Sequence, residues 1–229
     1  MAVAFDAASE SHTGTTDATS VGTFSWTHTP VGTPRGIVVF TINRNTSGDI
    51  CTAVTYGGVA MTAVASGFAA DTAGEVGACK AWFLGGSIPT GAQTVEVTRT
   101  NNANGTYGVA FSVTAAADTE IKGTPALLQG DAAISTLAVD SGADTAIRFI
   151  GAMLGGSNLP TADAGSTIGP GIDFGSRVHA SARENTPGSG SRSVGFASQA
   201  SDDVAAVAVA VGEGSAAPPV TFVAWITED

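Results

Sequence analysis

The chain has 229 residues, of which 43% are hydrophobic and only 13% charged. That is too apolar for a disordered chain, and long enough for one β-sandwich domain with its own core. Nine Lys plus Arg stand against twenty Asp plus Glu, a net charge of −11. This field repels phosphate backbones, so nucleic acid is not an expected partner.

The first residues, Met1-Ala2-Val3-Ala4-Phe5-Asp6, carry neither a basic leader nor an apolar run, and no later stretch reaches membrane-spanning length. The expectation is a protein made in a cytoplasm, with no membrane partner. Residues 1 to about 19 are small and polar and read as an N-terminal arm or an added edge strand. Phe24, Trp26 and His28 then alternate with Thr23, Ser25 and Thr27, the period of a strand with one face on a core. Ile37–Ile42 is apolar on both faces, as a central strand is. Tyr56-Gly57-Gly58-Val59 is a tight hairpin, its glycines supplying positive φ. Val95 and Val97 alternate with Thr94, Glu96 and Thr98, so Glu96 points outward. Asn104-Gly105 turns the chain into Tyr107, Val109, Phe111 and Val113.

In the second half, Ser135–Gly151 repeats the strand, Gly loop, strand order of Ser25–Thr41, with Gly32 matching Gly142 and Ile37 matching Ile147. Two long Gly/Ser/Pro-rich loops are expected, Gly155–Gly175 and Arg183–Arg192, of the kind that is often functional or interfacial. Asp203–Val211 is Ala-rich, but its valines alternate, which makes it a strand. Val220–Ile226 reads as another central strand. No window has helical periodicity with caps. The fold class that follows is all-β: a two-sheet antiparallel β-sandwich of about 13 to 15 strands. It is one domain over 20–229, with two related halves at about 20–125 and 130–229.

Chemistry-bearing motifs do not emerge. There is no G-x-S-x-G, P-loop or EF-hand loop, and Gly169–Gly175 is one residue too long for G-x-G-x-x-G. His12, His28 and His179 occur in neither H-x-H nor H-E-x-x-H, and His28 lies in phase with Phe24 and Trp26. It reads as a strand histidine with a local hydrogen-bond partner. Cys51 and Cys79 sit in strand-like segments and read as small buried hydrophobes, with a cross-strand disulfide as the alternative. Asp49, Asp71, Asp118, Asp131, Asp140, Asp144 and Asp163 form a solvated acidic surface, although Asp140 and Asp144 stand close enough for a loop calcium ion and a glycosidase-type pair is conceivable. Trp26, Trp82 and Trp225 lie amid apolar strand residues and are read as core rather than a sugar platform. Asn45-Thr46-Ser47 and Asn104-Gly105-Thr106 match the glycosylation triplet and are read as plain loop sequence. The expectation is no catalytic residue, no cofactor and no metal.

Several strand and turn segments carry a resemblance. They are Phe24-Ser25-Trp26-Thr27-His28-Thr29-Pro30, Arg35-Gly36-Ile37-Val38-Val39 and Val54-Thr55-Tyr56-Gly57-Gly58-Val59-Ala60-Met61. Lys80-Ala81-Trp82-Phe83-Leu84, Gly91–Val97 and Val109–Val113 continue the pattern. Together they cover roughly residues 20 to 125. The pattern resembles the small jelly-roll-like β-sandwich proteins found among tailed-phage structural genes and in some bacterial surface proteins. The resemblance implies a non-enzymatic virion structural protein: a capsid decoration protein, head fibre or tail accessory protein. It also implies a phage capsid or tail protein as partner, location in the virion, and a homo-oligomer, with a trimer favoured by family analogy. A carbohydrate-binding or adhesive module is the alternative.

Overall fold

A computed structural model describes residues 2–12, 22–44, 46–74, 76–100, 105–133, 135–156, 158–175, 177–197 and 201–214. Among these residues every regular element is a strand. The first half holds β1 (Ala4–His12), β2 (Gly22–His28), β3 (Gly36–Arg44), β4 (Cys51–Tyr56), β5 (Val59–Ala60), β6 (Thr62–Asp71), β7 (Gly77–Leu84), β8 (Gln93–Arg99) and β9 (Thr106–Thr114). The second holds β10 (Thr119–Ala133), β11 (Thr136–Asp140), β12 (Ala146–Gly155), β13 (Ser166–Ile168), β14 (Ile172–Asp173), β15 (Arg177–Glu184), β16 (Ser191–Gly195) and β17 (Ser201–Glu213).

The strands form four antiparallel sheets. Two are large: β1-β9-β3-β7-β6, and β10-β17-β12-β15-β13 with β14 also on β15. Two are small: β2-β8-β4-β5 and β11-β16. Three apolar clusters show how they stack. Val38, Phe40, Ile42 and Phe111 meet Phe149, Val207 and Val209 in the central layer. Ile37, Val39 and Trp82, from the other face of the first large sheet, meet Val54, Val95 and Val97 of its small cover. Ile150, Leu154 and Ala206 meet Val139, Val194 and Phe196 of the second cover. The all-β antiparallel sandwich expected from the sequence is therefore the fold, and each outer face of the sandwich carries a further small sheet. This explains why β3 and β12 are buried along their whole length. A strand covered on both sides has no reason to alternate.

Each half threads its large sheet in the same order. The half's first strand is at the edge, beside its last strand, and next comes the strand that follows the Gly loop. The covers correspond too, β2-β8 to β11-β16. Ile37 and Ile147 do fall at the second position of equivalent strands, β3 and β12. Ile37 nevertheless faces its cover while Ile147 faces the central layer. An offset of one residue reverses the face, so the match read from sequence is displaced by one.

The expected Gly-Gly hairpin is present, with φ of 56° at Gly57 and 80° at Gly58. Gly155–Gly175 is less loop-like than its composition implies, because β13 and β14 within it pair with β15. Arg183 and Arg192 belong to β15 and β16, which leaves 185–190 as the connection. Residues 4–12 form the edge strand of the chain's own sheet. Val3 is 1% exposed in the central core, and Asp6 accepts hydrogen bonds from the backbone N–H of Val31 and Gly32 at 3.1 and 2.7 Å. Residues 13–21 and the expected strand Val220–Ile226 with Trp225 lie outside the described residues.

Candidate functional site

Most residues singled out in the sequence are tied into the scaffold. Trp26 and Trp82 are 8% and 3% exposed, both in the layer between the first large sheet and its cover. Trp82 donates its indole N–H to Thr41 Oγ1 at 3.1 Å. Glu96 faces outward. Asp49 pairs with Lys80 at 2.6 Å, Asp118 with Arg35 at 3.4 Å and Asp144 with Lys122 at 3.0 Å. Asp140 accepts from the Gly142 N–H at 2.8 Å and Asp163 from the Gly165 N–H at 3.4 Å, both turn contacts. Among the described residues, no group of three or more His, Cys, Asp or Glu side chains is placed to hold a metal ion.

His28 has the partner expected of it, but a distant one in sequence. Its Nδ1 lies 2.7 Å from Ser9 Oγ, and Trp26 Nε1 donates to the same oxygen at 3.0 Å. The Ser9 hydroxyl thus bridges the indole N–H of Trp26 and the imidazole of His28. Serine beside histidine is the arrangement of an activated nucleophile. Here burial pushes the imidazole down to about 4, against a smaller upward pull from Asp6. A base that weak at neutral pH activates a hydroxyl poorly. The trio's role is to fasten β1 to β2. His179 is fully buried between the Tyr107 and Phe174 rings, at 5.9 and 4.9 Å, and neither ring nitrogen has a hydrogen-bond partner. Burial, then Arg44, Arg177 and His12, push it down to about 3, so it is neutral.

Cys51 and Cys79 are free thiols, both 0% exposed. Cys79 donates to the Gly151 carbonyl at 3.2 Å and Cys51 to Asn43 Oδ1 at 3.6 Å. Burial raises both pKa values, that of Cys51 to about 11. The thiolate is the reactive form. Ellman's reagent is therefore expected to leave the folded protein unmodified and to titrate two thiols in denaturant. Prompt modification of the folded protein would show that these layers open.

Several internal charges were not foreseen: Asp71, expected on the solvated acidic surface, is 1% exposed, and Arg148 and Glu184 are enclosed as a pair. Arg148, in the middle of the apolar run of β12, is fully buried opposite Glu184 of β15 at 2.9 Å. The sequence signal was an arginine with no polar neighbour in its own strand, but its partner is 36 residues away.

A groove of about 460 Å³ opens between β6 and β10, lined by Val64, Phe83, Leu84, Glu120, Ile121 and Pro125. Its size suits a bound side chain or small ligand. Both walls are edge strands of the large sheets, and both are bulged. The β6–β7 register shifts between Ala63 and Phe68, and the β10–β17 register between Lys122 and Ala126. Ser66 and Gly123 take φ of 57° and 66° there. A Cβ on Gly123 would lie 1.9 Å from the Asp140 carbonyl oxygen, so only glycine fits. Gly123-Thr124-Pro125 inside a strand run was the sequence signal for this edge, because proline cannot donate to a ladder. The opposite side of the sandwich is bridged by side chains. There His12 of β1 meets Phe174 at 6.1 Å, and the Arg183 guanidinium sits 4.0 Å from the centre of the Phe5 ring.

No family model matches the chain, and neither a curated protein nor a solved structure matches it.

Proposed function

We propose that the chain is a non-enzymatic virion structural protein of a tailed phage, a capsid decoration or other surface-exposed head or tail protein that works through protein–protein contacts. The observation that carries this reading is the apolar groove at the β6 and β10 edges. An apolar cleft between two edge strands offers a pocket for side chains of another polypeptide, while the bulges keep the edges themselves from pairing indiscriminately. The resemblance of residues 20–125 to jelly-roll-like phage sandwiches supplies the virion context. The scarcity of long charged side chains agrees with it, since such side chains lose the most freedom when a surface is immobilised.

The sugar-binding alternative gains nothing from Trp26 and Trp82, whose rings are enclosed. The test is mass spectrometry of purified particles of the phage that encodes this chain, with co-sedimentation of added protein. The chain is expected as a stoichiometric particle component that returns to particles stripped of it. Its absence from particles, together with failure to sediment with them, would remove the virion reading.

A further inference from the structure

We infer that Asp71, Asp131 and Asp203 form a binding site for a calcium ion, which clamps the β6–β7 turn onto β10 and β17 at one end of the central layer.

Register brings the three carboxylates to one place. Asp203 and Asp131 are directly opposite in the β17–β10 ladder, so their side chains leave the same face of the second large sheet. That face is the one packed in the central layer, because Ala205 and Val207 of the central cluster follow Asp203 at strand period. Asp71 belongs to the first large sheet. It lies two residues after Ala69 of the same cluster and so faces the second sheet. The sheets are fastened at this end, where the Ala70 N–H of β6 donates to Gln129 Oε1 of β10 at 3.4 Å. The turn after β6 comes closer still. A Cβ on Gly74 would strike both carboxylate oxygens of Asp203, so the backbone of the turn rests on that carboxylate.

What points to a ligand is Asp71, which is 1% exposed. Its Oδ1 accepts from the Ala73 N–H at 3.0 Å, while its Oδ2 is buried with no hydrogen-bond partner. The turn contact uses one oxygen and gives no reason to enclose the other. An ionised carboxylate is costly to bury unless a charge or hydrogen bonds compensate it. None of the ion pairs among the described residues reaches Asp71 or Asp131. Asp131 and Asp203 add to the cost, because like charges directly opposite in a ladder destabilise it. With twenty acidic residues against nine basic ones, the chain has few cations of its own to spare, and a cation from solution supplies the countercharge.

The donor set selects the ion. It consists of oxygen alone, which suits a hard cation and not zinc or copper. Calcium takes six to eight oxygens in flexible geometry, and the carbonyls of an irregular turn and water complete its shell. Magnesium requires near-ideal octahedral geometry, which carboxylates from three strands of two sheets do not impose. Asp131 is exposed, and no three acidic side chains among the described residues are yet drawn together around one point. Binding therefore turns Asp131 inward and orders the β6–β7 turn.

The test uses the full-length protein, stripped with EDTA and exchanged into chelator-free buffer. Titration calorimetry with calcium chloride is expected to show one site per chain, with a Kd on the order of 0.1 mM. At a hundredfold excess of calcium over that Kd, the melting temperature is expected to rise by about 5–10 °C relative to sodium chloride at matched ionic strength. Asp71→Asn and Asp203→Asn are each expected to melt no lower than the parent without calcium, because each removes a repelling charge, and to lose the calcium response. A carboxylate with a merely structural role does not give that split. Asp203→Asn, at a partly exposed position, decides the matter if Asp71→Asn does not fold. Asp140→Asn, at the end of β11, is expected to keep the full response. No heat of binding, a shift that sodium chloride reproduces, a folded Asp71→Asn or Asp203→Asn protein that keeps the response, or an Asp140→Asn protein that loses it would each overturn the inference.

Discussion

Replacing Arg148 with methionine is expected to lower the unfolding free energy by about 3–5 kcal/mol, the usual cost of removing one partner from a buried charge pair. Arg148 and Glu184 have 0% and 2% of their side chains exposed. The guanidinium donates to Glu184 and to Ser141 Oγ at 2.9 and 3.0 Å, and to the carbonyls of Val139, Ala146, Gly188 and Gly190 at 2.5–3.2 Å. One side chain thus satisfies acceptors on β11, on β12 and in the 185–190 connection, all inside the layer under the small cover. Without it those carbonyls lose a donor, and Glu184 is left, among the described residues, with the half-exposed Arg192 as its charged partner. Urea unfolding at pH 7 measures the loss. The double replacement Arg148→Met with Glu184→Leu is expected to recover part of it, because a neutral pair leaves no buried charge behind. A single-variant loss below about 1 kcal/mol would show that water reaches the site.

Acid is expected to destabilise the fold through its two buried histidines. In the unfolded chain histidine takes up a proton near pH 6.5. In the folded protein His28 does so only at about 4 and His179 at about 3, burial being the main cause in both. Between these values the unfolded state binds more protons, so stability falls as pH drops. The contribution is complete at pH 7, declines from about 6.5, and levels off once the folded values are passed. Each histidine accounts for about 1.4 kcal/mol per pH unit, or about 2–3 kcal/mol between pH 7 and 4.5. Urea unfolding of the parent and of His179→Leu at the two pH values isolates the effect, since the carboxylates titrate alike in both proteins. The variant is expected to lose about 2–3 kcal/mol less on acidification. Equal losses would mean that His179 is protonated in the fold or that acid opens this layer locally.

Strand character, the Gly57-Gly58 turn, the enclosure of Trp26 and Trp82 and the outward Glu96 were all legible in the chain. Each depends on backbone geometry and polarity over a few residues, and a period of two is a local property. The Ala-rich β17 was legible for the same reason: its alternating valines outweighed the helical preference of its alanines. The groove was not read from the sequence; its one local trace is the interruption Gly123-Thr124-Pro125 in a strand run.

What tertiary structure alone decided was pairing across long separations. β1 lies beside β9, with Glu10 accepting from Tyr107 97 positions away. Nothing in the small polar residues of 1–12 announces that partner. The burial of β3 on both faces was visible, but not which sheet covers which face. Hydrophobic burial is non-directional, and any apolar face satisfies any other until register and loop length choose. Arg148 shows the same limit in charge: its place in an apolar run marks it as costly, and only the fold brings Glu184 and the carbonyls of three segments around it. The groove likewise exists because two bulges, on strands from different halves, arrive side by side. The sequence by itself determined most of the longer strands and many of their inward faces, because those follow from each residue's own backbone and neighbours. The partners, the layers and the open edge came from packing, where contacts far apart in the chain choose among arrangements that local chemistry leaves equivalent.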